Sequence, residues 1–316
     1  MNSPESYSIV TTDFHFKNQQ HKYQGKVRDV YDIGDQLIIV ATDRISAFDH
    51  ILSRPIPYKG QVLNLIASHF LNAVRDICPV WLDNTPDPNV SIGKKCSAIP
   101  IEMVIRGYLT GHAWRTYNSG LRSLCGEALE DGMIENQKFE KPIITPTTKA
   151  TEGHDLDISI LQLKELNIIS NAQLDQMIDY SHQLFKRGTK LAADQGLILV
   201  DTKYEFGIYD GELMLMDEIH TPDSSRYFEL ENYKFNLELN QPQIQLSKEF
   251  VREWLMSHGF QGKDDQLMPE MSDLFVWHVS ERYIELYDKL VGKHFIKPDS
   301  SIRIKDRIAQ NLSNYF

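Results

Sequence analysis

Three charged residues, Asp201, Lys203 and Glu205, alternate with Thr202, Tyr204 and Phe206 directly after the apolar run Leu197–Val200. Side chains of an extended strand point to opposite faces with period two, so the three charges share one face. The chain then passes Tyr209-Asp210-Gly211, a hairpin signal, and returns as Leu213–Ile219 with the acidic pair Asp217-Glu218. A three-residue loop with Gly211 in the left-handed conformation places Asp217 on the face of Lys203 and Glu205. A two-residue Asp210-Gly211 loop places Glu218 there instead. The expected face is Lys203, Glu205 and Asp217. Either register surrounds an ammonium with carboxylates, and hard oxygen donors of that kind suit magnesium carrying a nucleotide. The plainer alternative is a charged, solvated face of an antiparallel hairpin.

Other stretches supply cations in an acidic chain. Gly25-Lys26-Val27-Arg28-Asp29 precedes an apolar strand, Leu37–Ala41. Its glycine permits close backbone approach, and Lys26 and Arg28 are expected on one strand face. A glycine and two cations at the start of a hairpin suit nucleotide phosphates, although no P-loop motif is present. Thr42–Asp49 is either a ligand loop or an Asp/Ser-rich turn. The run 98–106 reads as a strand with Glu102 and Arg106 on one face. Thr110-Gly111 and a short helix from His112 follow, and a free helix N-terminus attracts anions. The loop 142–155 carries Lys149 and Asp155, either as a lid or as solvated loop charges.

The elements that must hold these residues are legible from caps and periodicity. Asn64–Val74 has the apolar spacing of an amphipathic helix. Ser159 and Ser170 open two more helices, and Gly196 stops the second. Ser247, Ser272 and Ser301 mark a helical C-terminal part, with Lys248 and Arg252 four apart on one helix face. Leu121–Lys141 reads as irregular and exposed. A composition shift near Lys94–Pro100 divides the chain into an N-terminal lobe, 1–98, and a larger one, 99–316.

Composition narrows the function. The 316 residues carry a net charge of −11, which disfavours nonspecific nucleic-acid binding. No window is long and apolar enough to span a membrane, and no secretory leader is evident. The three cysteines form no C-x-x-C pair, which points to a reducing cytoplasm.

Together, Leu199–Gly207, Ile99–Arg106 and Gly25–Asp29 resemble SAICAR synthetase of purine biosynthesis. Matching segments run in order from about Gly25 to Arg252, and the helical tail is similar to the longer, yeast-type form. The resemblance implies a two-lobed α+β fold with antiparallel sheets, related to kinases and ATP-grasp proteins. It implies the joining of CAIR, the carboxylated aminoimidazole ribonucleotide, to L-aspartate with consumption of ATP and with Mg2+ as cofactor; a cytoplasmic monomer is expected. Gly25, Lys26, Val27 and Arg28 would then cover ATP phosphates. Glu205 and Asp217 would bind magnesium-ATP, and Glu102 would face a second metal. Arg106, His112, Ser225, Arg226, Lys248 and Arg252 would hold anionic parts of CAIR or aspartate. Lys149, Asp155, Asp201 and Lys203 would surround the reacting groups. One position departs: the family has Gly-Ser where this chain has Gly111-His112.

Overall fold

A computed structural model of the chain describes residues 3–48, 50–149, 156–245 and 248–316. The fold is α+β, with two large antiparallel sheets. The first sheet orders the strands His21–Gln24, Arg28–Asp32, Gln36–Ala41, Val90–Lys94 and Leu82–Asp87. The second is built on two long neighbours, Ser97–Tyr108 and Leu197–Tyr209, paired antiparallel. Lys138–Ile144 and Thr147–Thr148 pair with the former, Glu212–Met216 and Ser225–Glu229 with the latter.

The period of two divides the long strands into a core face and a site face. Met103, Ile105, Tyr204 and Phe206 join the main core. Against them lies the helix Asn171–Ala193, whose Tyr180 stacks on Phe206. Ser170 caps this helix, as the sequence implied, and Gln173 caps it reciprocally. Glu102, Arg106, Asp201, Lys203 and Glu205 are left for the opposite face.

The second helix layer is formed by Lys59–Ala73 packed on Asp273–Val291, with Ser280 Oγ donating to Pro57 O at 2.7 Å. The first of these starts a turn earlier than its apolar spacing suggested. Tyr58, in the left-handed conformation, occupies the cap position and makes no side-chain cap bond, so no Ser, Thr or Asp announces the start. Ser272 does cap Asp273–Val291.

The first sheet has its own small core. Phe14, Phe16, Tyr31, Ile38 and Val90 pack with Ile308 and Leu312 from the C-terminal end. Arg307 fixes the helix Ile304–Asn311 there through two bonds to Asp87, at 2.9 and 3.0 Å. The segment 121–141, expected to be irregular and exposed, instead buries Leu124, Leu129, Met133 and Phe139 in a third cluster. Those apolar residues lack strand or helix periodicity, which hid their burial.

Candidate active site

Strand pairing sets the site. Asp201 lies opposite Arg106, Lys203 opposite Val104, and Glu205 opposite Glu102. The Lys203 ammonium reaches Glu102 Oε1 at 2.6 Å and Glu205 Oε1 at 2.9 Å. Lys149 donates to the other Glu205 oxygen at 2.6 Å. Burial disfavours a charged Lys203, but Glu205, Glu102 and Asp217 outweigh it and hold its pKa above the ordinary lysine value. Burial likewise pushes Glu205 up, and Lys203 and Lys149 more than offset this, lowering its pKa to about 2. Lys203 and Glu205 are therefore both held in their charged forms.

Beside it stands a second charged group. Asp201 Oδ2 accepts from Arg106 at 3.2 Å and from Arg226 at 2.6 Å. Arg106 is fixed further by donating to Thr145 Oγ1 at 2.8 Å. Ser225 Oγ donates to Thr202 Oγ1, which seats the Ser225–Glu229 strand beside these groups. Arg106, Asp201, Lys203, Ser225, Arg226, Lys248 and Arg252 all border one cavity of about 320 Å³. His112 stands at its edge in the first turn of the helix Gly111–Asn118, with Nε2 2.7 Å from Asp157 Oδ2. Gly111, at φ 55, is required here: a Cβ would sit 2.6 Å from the Arg226 guanidinium.

The hairpin departs from expectation. Tyr209 pairs with Glu212, so the loop is the two residues Asp210-Gly211, not three. Their φ values of 49° and 82° are those of a tight primed turn. Met216 therefore faces Glu205, and a continued ladder would put Glu218 opposite Lys203. Asp217, at φ 60, breaks the strand before that. The result is that Arg28 of the first sheet contacts both acids: Asp217, and Glu218 at 2.8 Å. Trp81 Nε1 donates to Asp217 O at 2.9 Å, holding the turn. Burial raises the Glu218 pKa above the ordinary value although Arg28 opposes this.

The Gly25–Val27 segment is a bend, and the strand begins at Arg28. Lys26 and Arg28 thus do not share a strand face, because the chain turns between them. Gly25 N–H donates to Arg28 O at 2.8 Å. Arg44 donates to the Lys26 and Gly25 carbonyls at 3.1 and 2.9 Å, and Thr42 N–H to Val27 O at 3.0 Å. Thr42 and Arg44, at the head of the expected ligand loop or turn, thus bracket this bend. Asp43 braces further backbone by accepting from Ile9 and Gly60 N–H groups at 2.7 and 2.8 Å. Arg28, Asp217 and Glu218 also border a narrow slot walled by Ile39, Leu63, Leu71 and Trp81.

Asp223 and Lys59 are among the residues that escaped the sequence reading. Asp223 borders the cavity, and Lys59 stands behind it. The only sequence signal for Lys59 was a lysine immediately before a glycine at the head of an apolar helix. Asp155 and Ser247 lie outside the described residues. Among the described residues, no three His, Cys, Asp or Glu side chains are gathered as a metal cage.

Comparisons with known proteins agree with the geometry. The family model for SAICAR synthetase matches residues 21–268. The phosphoribosylaminoimidazole-succinocarboxamide synthase of Bacteroides thetaiotaomicron is 55% identical over 310 residues, covering 98% of each chain. That of Legionella pneumophila (strain Lens) is 42% identical, covering 93% of this chain and 95% of its own. The SAICAR-synthase of Saccharomyces cerevisiae, solved in complex with SAICAR, superposes with a TM-score of 0.75 at 30% identity, over 86% of this chain and 95% of its own. By sequence and by fold, the chain belongs to the SAICAR synthetase family.

Proposed function

We propose that the chain joins CAIR to L-aspartate at the expense of ATP, giving SAICAR, ADP and phosphate. The observation that carries this is one sheet face on which a Glu–Lys–Glu row, whose Lys203 borders the cavity, stands beside an Arg–Asp–Arg group that lines it. The first group suits phosphoryl chemistry, the second the placement of anionic substrates. The yeast relative with SAICAR in its structure supports the same substrate class.

The residues account for the chemistry step by step. A carboxylate is a poor acyl donor because oxide is a poor leaving group. Transfer of the terminal phosphoryl group of ATP to the CAIR carboxylate makes an acyl phosphate. The aspartate amine then attacks its carbonyl carbon, the C–O bond to phosphate breaks, and the amine gives up a proton. Lys149 and Lys203 offset negative charge as the phosphoryl group moves. Arg106, Arg226 and Arg252, with Ser225, Lys248 and His112, hold the CAIR phosphate and the substrate carboxylates. Asp201 or Asp155 accepts the amine proton.

The nucleotide lies between the two sheets, with the Gly25–Arg28 bend over its phosphates. Magnesium bound with the phosphates would neutralise their charge. Such an ion needs one or two protein carboxylates and takes its other ligands from phosphate and water. The donor chemistry of Glu205, Asp217 and Glu102 fits that role. The 1–98 and 99–316 lobes flank this cleft in a cytoplasmic monomer.

The test is ADP release with CAIR, with and without L-aspartate. Release that requires both substrates and yields SAICAR supports the function. Phosphate transfer to a stable hydroxyl product would indicate a small-molecule kinase instead.

A further inference from the structure

Lys59 opens its helix, and its side chain is fully buried. Its Nζ lies 3.1 Å from Asp223 Oδ2, off the direction of a hydrogen bond, and 5.6 Å from the ring centre of Tyr283. Tyr283 OH donates to Asp223 Oδ1 at 2.8 Å. Lys248 Nζ approaches the same Oδ2 as Lys59, at 3.4 Å. One buried carboxylate thus faces two ammonium groups. Lys248 borders the substrate cavity and Lys59 does not. Glu218 also acts on Lys59 electrostatically, but its carboxylate is engaged by Arg28. Burial favours a neutral Asp223, yet Lys248 and Lys59 together hold it well below the usual carboxylate range.

A cation that is the sole counter-ion of a buried carboxylate cannot turn to a ligand without leaving that carboxylate unpaired, which is strongly unfavourable. A second cation behind the carboxylate removes the penalty. We propose that Lys59 is a positioning residue: as the standing counter-ion of Asp223, it releases the charge of Lys248 to an anionic group of the substrate. Sealed from the cavity, Lys59 touches no substrate itself. The role presupposes that the cavity receives CAIR and aspartate. Wild-type protein that releases no ADP with both substrates would overturn that function and leave no substrate for Lys248 to meet, so the two failures are distinct.

The test is steady-state kinetics of Lys59→Met, Lys248→Met, Asp223→Asn and the Lys59→Met/Asp223→Asn pair. Lys248→Met identifies the substrate whose anion Lys248 meets, CAIR or aspartate, by the KM it raises. Lys59→Met is expected to raise that same KM by about tenfold, with kcat and the ATP KM held within about threefold. With Asp223→Asn already present there is no carboxylate to neutralise, and Lys59→Met should change the KM by less than about twofold. A purely structural lysine would cost the same in both backgrounds, and that result overturns the proposal. So would an unchanged KM, or a loss confined to kcat. If Lys59→Met does not fold, Lys59→Arg decides: with the charge kept, the KM should stay within about threefold, and a tenfold rise rejects the role.

Discussion

The Lys203 ammonium lies 2.6 Å from Glu102 Oε1, bridging the two central strands of the second sheet on the face that carries the site. Because the same ammonium also meets Glu205, its removal leaves two largely buried carboxylates on paired residues without their common cation. Lys203→Met should therefore lower turnover on the order of 10²–10³-fold, the usual effect of deleting one preorganised charge partner. It should also raise the pKa of Glu205 from its depressed value. ADP release measured against pH checks both, and turnover within about tenfold of wild type would reject the role.

Glu205→Gln and Asp217→Asn keep side-chain shape but remove charges that hard cations need. Each variant should lose magnesium-dependent turnover while its circular dichroism spectrum stays native. Near-normal rates across a magnesium titration would move the metal elsewhere.

His112 borders the cavity and is paired with Asp157 at the first turn of its helix. If it donates to the CAIR phosphate, His112→Ala should raise the CAIR KM by about tenfold, the scale of a lost charge-assisted bond. His112→Ser should recover most of the loss. An alanine variant with an unchanged CAIR KM at every pH would leave the helix N-terminus as the phosphate contact at this edge.

Gly188 lets its helix pass close to His220. A Cβ there would lie 2.4 Å from the imidazole Cε1 and 2.9 Å from Leu199 Cδ2. His220 is fully buried and hydrogen-bonded to Tyr204, so it has little room to yield. Gly188→Ala should destabilise the fold by about 1–3 kcal/mol through overpacking, read as a lower midpoint in urea. An unchanged midpoint would show that the helix shifts freely.

Burial also lowers the His220 pKa to about 3, from an ordinary value of 6.5. Between these values the unfolded chain binds a proton that the native chain does not. Stability from this residue is thus complete above the ordinary value and falls as pH drops towards 3. His220→Gln should flatten the stability–pH curve over that window relative to wild type. Parallel curves would mean that the native imidazole titrates normally.

The alternation of Asp201, Lys203 and Glu205 after an apolar run was enough to place three site residues on one face, because strand geometry has a fixed period. Glu102 with Arg106 followed from the same rule, and the serine caps at 170 and 272 fixed two helix starts. What the sequence left open depended on how separate segments meet. The turn at Asp210-Gly211 was compatible with two loop lengths, and only the pairing of Tyr209 with Glu212 and the break at Asp217 decided the register. Arg28 gripping Asp217 and Glu218 needs the two sheets to face each other. The Lys59–Asp223–Lys248 cluster joins residues from three distant elements, and no local pattern marks a buried lysine. Local periodicity sets which way a side chain points, whereas its partners across the fold are set by packing, which only the tertiary structure supplies.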